Sequence, residues 1–163
     1  MPTLVTRKRN LKQSVPARVV ASLGNAMLAA LELPRAELSV LLTDDAEIHQ
    51  LNLEHRHKDK PTDVLAFAMD EKVPDIAGIL GDVVISLDTA ERQAKGRRRP
   101  LIEEVRFLLA HGLLHLVGYD HAEPVEKREM VAMTRRLVRL APLPEPAVPR
   151  PSARRKLSKG SKK

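Results

Sequence analysis

Apolar residues recur at helical spacing in some stretches of the chain and in short uninterrupted runs in others. From Val19 to Leu31 they repeat every four positions, which predicts a helix that Pro34 ends. Gly78 and Gly81 predict a turn ahead of a strand. In all, the pattern predicts helices at about 16–31, 44–53, 88–95, 100–116 and 124–140, and strands at about 3–8, 38–42, 64–67 and 83–85.

Three histidines are concentrated at the end of the fourth predicted helix. His111 and His115 are four residues apart, so both imidazoles lie on one face of the helix, about 6 Å apart along its axis. Gly118 follows where a helix can end in a left-handed residue, and the resulting turn brings His121 back towards the pair. Three converging imidazoles with room for water as a fourth ligand are typical of a catalytic zinc site.

The spacing His-x-x-x-His-x-x-Gly-x-x-His is that of the metzincin peptidases, with one departure. Gly112 stands where those enzymes carry the glutamate that acts as general base, so the metal geometry is present without the peptidase machinery. Asp120 is a candidate partner for the second N–H of a ligating histidine, or else a turn-forming residue. Glu104 lies on the histidine side of the helix but about 10 Å away along the axis, too far to bind the metal.

Two basic segments lie in predicted loops. From the loop alone, Arg56 is either a solvated side chain or a planar fork that binds phosphate. Arg97, Arg98 and Arg99 form a cluster that is either an RNA phosphate contact or a solvated run. The pattern leaves both alternatives open.

Length and composition limit the possible classes of protein. A chain of 163 residues predicts one domain, and the absence of cysteine excludes disulfides and thiolate metal ligands. No run of about eighteen apolar residues predicts a membrane span, and the N-terminus lacks the pattern of a secretory signal. A cytoplasmic protein is therefore expected.

The net charge of +7 resides near the C-terminus. Residues 150–163 hold seven basic residues and no acidic one, whereas the rest of the chain is balanced. Residues 141–163 are also rich in proline, serine and basic residues, so we predict a disordered tail after a folded domain at 1–140. Such a tail attracts polyanions, of which RNA is the commonest in cells, or it is a solubilising segment without a specific partner.

Three segments together resemble one family. His111–His121, Arg56–Phe67 and Gly81–Ser86 are similar to the signature segments of the bacterial rRNA-maturation endoribonucleases, the YbeY family. The resemblance covers about residues 36–140. Mild departures lie at Ala66 and Ala68, where serine and proline are common, and at His57, where glycine is frequent. The basic tail lies outside the family pattern.

The resemblance implies an α+β fold, with one small mixed sheet packed by about five helices. It implies one Zn2+ held by His111, His115 and His121, and Arg56 as the family's functionally important arginine. It further implies cleavage of single-stranded RNA in 3′-end maturation of 16S rRNA and in ribosome quality control, on or near the small ribosomal subunit. Two alternatives remain: a zinc hydrolase of another substrate, and a ribosome-assembly factor with a structural metal. The oligomeric state is not predicted.

Overall fold

The computed structural model describes residues 3–69, 78–119 and 123–144. Within these ranges the chain forms four strands and five helices, at the positions that the apolar pattern predicts. In chain order they are β1 (Thr3–Arg7), α1 (Ala17–Ala30), β2 (Glu37–Thr43), α2 (Asp45–Arg56), β3 (Val64–Ala68), β4 (Ile79–Ser86), α3 (Leu87–Gly96), α4 (Leu101–Leu116) and α5 (Pro124–Leu140).

The strands form one mixed sheet in the order β1-β2-β4-β3. β1 pairs with β2 and β2 with β4 in parallel, whereas β3 runs antiparallel to β4 and leaves its other side as an edge of the sheet. Parallel neighbours need a crossover connection, and helices supply it here. The prediction of an α+β fold with a small mixed sheet and five helices is confirmed.

The two faces of the sheet carry cores of different size. Side chains of a strand alternate between faces, so Val83 and Ile85 of β4 lie on one face and Val84 on the other. The first face packs against α1, α3 and α4, and α5 packs on α1 and α4 within the same main core. The second face forms a smaller cluster in which Ile48 of α2 contacts Val84 and Leu65. The α4 helix is thus held by the main core, and α2 by the smaller cluster.

Gly81 has a different position from the predicted one, because it lies inside β4 rather than in a turn before it. Its φ is +146°, and a Cβ added there would lie 2.2 Å from the carbonyl oxygen of Phe67 on β3. The pairing of β2 with β4 also shifts register between Glu37 and Leu38. Glycine is needed at this irregularity for close backbone approach.

The C-terminal end of α5 continues into packed chain. Ala141 is fully buried, and Leu143 packs against the main core. The packed part of the chain therefore extends beyond residue 140, the predicted end of the domain. Residues 145–163 of the predicted tail lie outside the described residues. Among the described residues, no helix has the length and hydropathy needed to cross a bilayer.

Candidate active site

A cleft of about 770 Å³ opens between the free edge of β3, the α2–β3 loop and the C-terminal half of α4. Both described histidines of the motif and the family-matched arginine reach it. Its lining comprises Asn52, His55, Arg56, Lys58, Lys60, Thr62, Asp63, residues 64–68, His111, Gly112, His115 and Leu116.

The histidine pair lies at the border between the core and the cleft. Leu113 and Leu114 of α4 are fully buried in the main core, and this packing fixes the rotation of the helix. His111 and His115 are consequently half-buried on the cleft side. Their ring centroids are 4.9 Å apart, with the ring planes at 72°. The predicted convergence of two imidazoles on one face is confirmed.

This separation fits two histidines that share one metal ion. Zn–N bonds of about 2.0–2.1 Å at a tetrahedral angle place two ring centroids about 5 Å apart. The third predicted ligand, His121, and its neighbour Asp120 lie outside the described residues. Within 3–69, 78–119 and 123–144, no group of three His, Cys, Asp or Glu residues could hold a metal. The pair thus supplies two of the donors that a metal site requires.

The packing around Gly112 explains why a side chain such as the peptidases' general base is absent from this position. A Cβ added to this residue would lie 2.8 Å from Cγ1 of Val83 and 3.2 Å from Cγ2 of Val64. Position 112 therefore faces the sheet at a separation that leaves no space for a side chain. A glutamate there would need α4 to move away from the sheet, which would also displace the histidines.

Arg56 is the last residue of α2, and two contacts direct its side chain across the edge of β3. Its Nη2 donates a hydrogen bond of 2.5 Å to the carbonyl oxygen of Ala66. Its guanidinium carbon lies 5.4 Å from the centroid of the Phe67 ring, within the range of a cation–π interaction. The His55 ring meets Phe67 edge-on, with 5.1 Å between centroids. Arg56 therefore lines the same cleft as the histidine pair.

Two of the three clustered arginines bind a buried carboxylate instead of reaching the cleft. Nη1 of Arg97 lies 2.6 Å from Oε2 of Glu104, and Nε of Arg99 donates to Oε1 at 2.9 Å. Glu104 is fully buried. Arg98 is exposed, and none of the three lines the cleft. Their contact with RNA remains a prediction. This ion-pair cluster was not predicted from the sequence, although basic residues five and seven positions before a glutamate were a visible signal.

A polar network at the C-terminal ends of the parallel strands fixes the start of α2. Asp44 caps the helix by accepting a hydrogen bond from the backbone N–H of Glu47. The pKa of Asp44 is lowered by the hydrogen bond from Lys8, followed by that from Glu47. Burial raises the pKa of Asp45, but hydrogen bonds from Thr89, Ser86 and Arg92 outweigh it and lower the value overall.

Comparison with known proteins shows which family the chain resembles. The family model described as Endoribonuclease YbeY matches residues 5–141. The chain belongs to this family. Among YbeY relatives, the protein named Endoribonuclease YbeY from Aquifex aeolicus is 55% identical over 63% of this chain and 67% of its own length. The relative of that name from Persephonella marina is 44% identical over 80% and 86% respectively, and that from Anaeromyxobacter sp. strain Fw109-5 is 49% identical over 76% and 64%.

A solved structure agrees with the fold. The solution structure of TM1509 from Thermotoga maritima matches with a TM-score of 0.59 and 26% identity, covering 85% of this chain and 89% of that one. The family resemblance drawn from the three signature segments is therefore confirmed, and the match extends nearly to the N-terminus.

Proposed function

We propose that this chain is a metal-dependent endoribonuclease that cleaves single-stranded RNA in 3′-end maturation of 16S rRNA and in ribosome quality control. The observation that carries the proposal is the placement of His111, His115 and Arg56 around one cleft. Membership of the endoribonuclease YbeY family supports the reaction type, because its named relatives are endoribonucleases.

His111 and His115 would hold a zinc ion together with His121, the third histidine of the motif. Zinc bound by histidines acts as a Lewis acid and lowers the pKa of bound water to about 7. The two described imidazoles must be neutral to bind it, and their half-buried positions on a packed helix limit their rotamers. Asp120 is the proposed acceptor for the second N–H of one of these rings.

Arg56 would stabilise negative charge on the phosphate that reacts. Cleavage of a phosphodiester accumulates charge on the non-bridging oxygens, and a guanidinium placed in advance stabilises that charge without reorganising. Of its five donor hydrogens, one bonds to Ala66, so others remain to bind a phosphate oxygen. The Phe67 ring contacts the guanidinium group and adds a second fixed contact to the bond with Ala66.

Neither alternative is favoured. A zinc peptidase of this spacing needs a carboxylate at position 112, and that position has no space for one. An assembly factor with a structural metal needs neither an open cleft beside the histidines nor an arginine in it. We place the activity in the cytoplasm, with RNA and the small ribosomal subunit as partners. Arg98 and the basic residues at 150–163 are additional contacts for the RNA backbone.

A substrate panel tests the reaction class. Purified protein is incubated with single-stranded RNA, duplex RNA, single-stranded DNA, a peptide and a small ester of matched concentration. We expect internal cleavage of single-stranded RNA and little turnover of the others, and loss of the RNA activity in Arg56→Ala. Hydrolysis of the peptide or ester in preference to RNA would contradict the proposal.

A further inference from the structure

The α2–β3 loop brings two lysines to the cleft opposite the histidine helix. Lys58 and Lys60 line the cleft together with Arg56, and both are exposed. On the other wall, α4 contributes His111, Gly112, His115 and Leu116, which carry no fixed charge when the imidazoles are neutral. The positively charged side chains of the cleft therefore lie on one wall.

The carboxylate nearest to these lysines in the lining is already engaged by other groups. Among the described lining residues, Asp63 is the one acid. Its Oδ1 accepts from the backbone N–H of Val64 at 2.8 Å and from the hydroxyl of Thr62 at 3.3 Å. Its Oδ2 accepts from Nε2 of Gln93 at 3.2 Å. Asp63 is thus held by the loop and by α3, and among the described residues no ion pair joins it to Lys58 or Lys60.

A buried amide holds the loop that carries the lysines. Asn52 of α2 is 2% exposed, and its Nδ2 donates to the carbonyl oxygen of Lys60 at 2.9 Å. The backbone carbonyl oxygen of Asn52 accepts from the backbone N–H of Lys58 at 3.3 Å. His57, which directly precedes Lys58, adopts a left-handed conformation at φ 59°, and this residue ends the helix and turns the chain. Both lysine backbones are therefore tied to one buried residue.

We propose that Lys58 and Lys60 form a phosphate-binding wall that holds the RNA backbone along the β3 side of the cleft, with Asn52 as its positioning residue. This inference rests on the proposed function and names how that site grips its substrate. The wall binds phosphates rather than bases, because its charged groups are ammonium ions and the cleft's one phenyl ring, Phe67, is already contacted by Arg56 and His55. Sequence preference is accordingly low.

Salt dependence of binding tests the wall. The probe is a fluorescein-labelled 12-nucleotide oligodeoxythymidylate, which carries the same phosphates as RNA but no 2′-hydroxyl, titrated with zinc-loaded protein at several salt concentrations. For single strands, each phosphate contact contributes about 0.7 to the slope of log K against log salt. Lys58→Ala/Lys60→Ala should lower that slope by about 1.4 and weaken binding on the order of tenfold. Lys95→Ala/Lys127→Ala removes the same net charge from exposed helix positions and should leave the slope unchanged.

A double-mutant cycle separates positioning by Asn52 from a general loss of stability. Asn52→Ala should weaken binding in the wild-type background and add little in the Lys58→Ala/Lys60→Ala background. An equal loss of binding affinity in both backgrounds would show that Asn52 stabilises the protein without positioning the lysines. Equal slopes for wild type and the lysine variant, or no binding by wild type, would overturn the proposal that Lys58 and Lys60 bind phosphates. If binding shows the lysine dependence but the protein cleaves no RNA, the proposed activity fails while the phosphate wall stands.

Discussion

Replacing Arg97 and Arg99 together with alanine should destabilise the protein more than replacing Glu104 with glutamine. Glu104 is 0% exposed, whereas the side chains of Arg97 and Arg99 are 53% and 34% exposed. Removal of both arginines leaves a buried carboxylate without a counter-charge, at a cost of about 3–5 kcal/mol for a fully buried group. Because water reaches the arginine side of the cluster, we expect the lower end, about 3 kcal/mol.

Glu104→Gln has a smaller effect because it leaves the charges on the solvent side. The two guanidinium groups can be hydrated where they are, and glutamine keeps the shape and one acceptor oxygen. The loss is that of charge-assisted hydrogen bonds, about 1–2 kcal/mol. Adding Glu104→Gln to the double arginine variant should even restore stability in part, because it removes the uncompensated charge.

Urea denaturation at neutral pH measures these differences directly. The four proteins are wild type, Arg97→Ala/Arg99→Ala, Glu104→Gln and the triple variant, with Arg98→Ala as an exposed control from the same loop. Two results would contradict this reasoning. Glu104→Gln could prove the most destabilising change, or the triple variant could lose as much unfolding free energy as the two separate changes combined. In either case the greater burial of Glu104 than of its arginine partners would not decide stability here.

Three further changes have expected outcomes. Gly112→Ala should lower the free energy of unfolding by about 1 kcal/mol in urea denaturation. Overpacking against Val83 costs about 1–3 kcal/mol, which exceeds the gain of about 1 kcal/mol from the higher helix propensity of alanine. A stability equal to or above that of the wild type would refute this. Asp45 has a lowered pKa, so its stabilisation is present above its ordinary value of 3.8 and lost as pH falls below it. Asp45→Asn should therefore flatten the acid limb of stability against pH in chemical denaturation, and an unchanged limb would contradict the pKa direction. Arg106 donates to the carbonyl oxygens of Val138 and Ala141 at the end of α5 and to Glu103. Arg106→Lys should therefore lower the free energy of unfolding by about 1–2 kcal/mol and speed amide hydrogen exchange at the end of α5. Unchanged exchange there would show that these bonds do not stabilise the helix end.

The elements of the fold could be predicted because hydrophobic periodicity is a local property of the sequence. All nine predicted elements match described ones within a few residues at each end. Gly81 was the error, because its role depends on a carbonyl of the neighbouring strand that is fourteen positions earlier in the chain. A single sequence does not reveal that contact, and a glycine next to a strand is more often a turn.

The candidate site was predictable where its signal lay within one helix or one motif. The pair His111 and His115 followed from helical spacing, and Arg56 from the family segment. The lack of space at Gly112, the partners of Glu104 and the anchoring by Asn52 arise from packing between elements, which spacing along the chain does not encode. The lysines at 58 and 60 were visible as part of a charge-dense loop, but only the fold places them on one wall of the cleft.

RNA cleavage in this cleft should require a metal bound by the histidine motif. The most direct measurement is the rate of cleavage of an end-labelled single-stranded RNA by purified protein, with a chelator, after zinc is restored, and with His115→Ala prepared in parallel as a control for contaminating nuclease. We expect cleavage that the chelator abolishes, that zinc restores and that the variant lacks. Equal cleavage by His115→Ala, or cleavage that persists in the chelator, would contradict the metal-dependent mechanism.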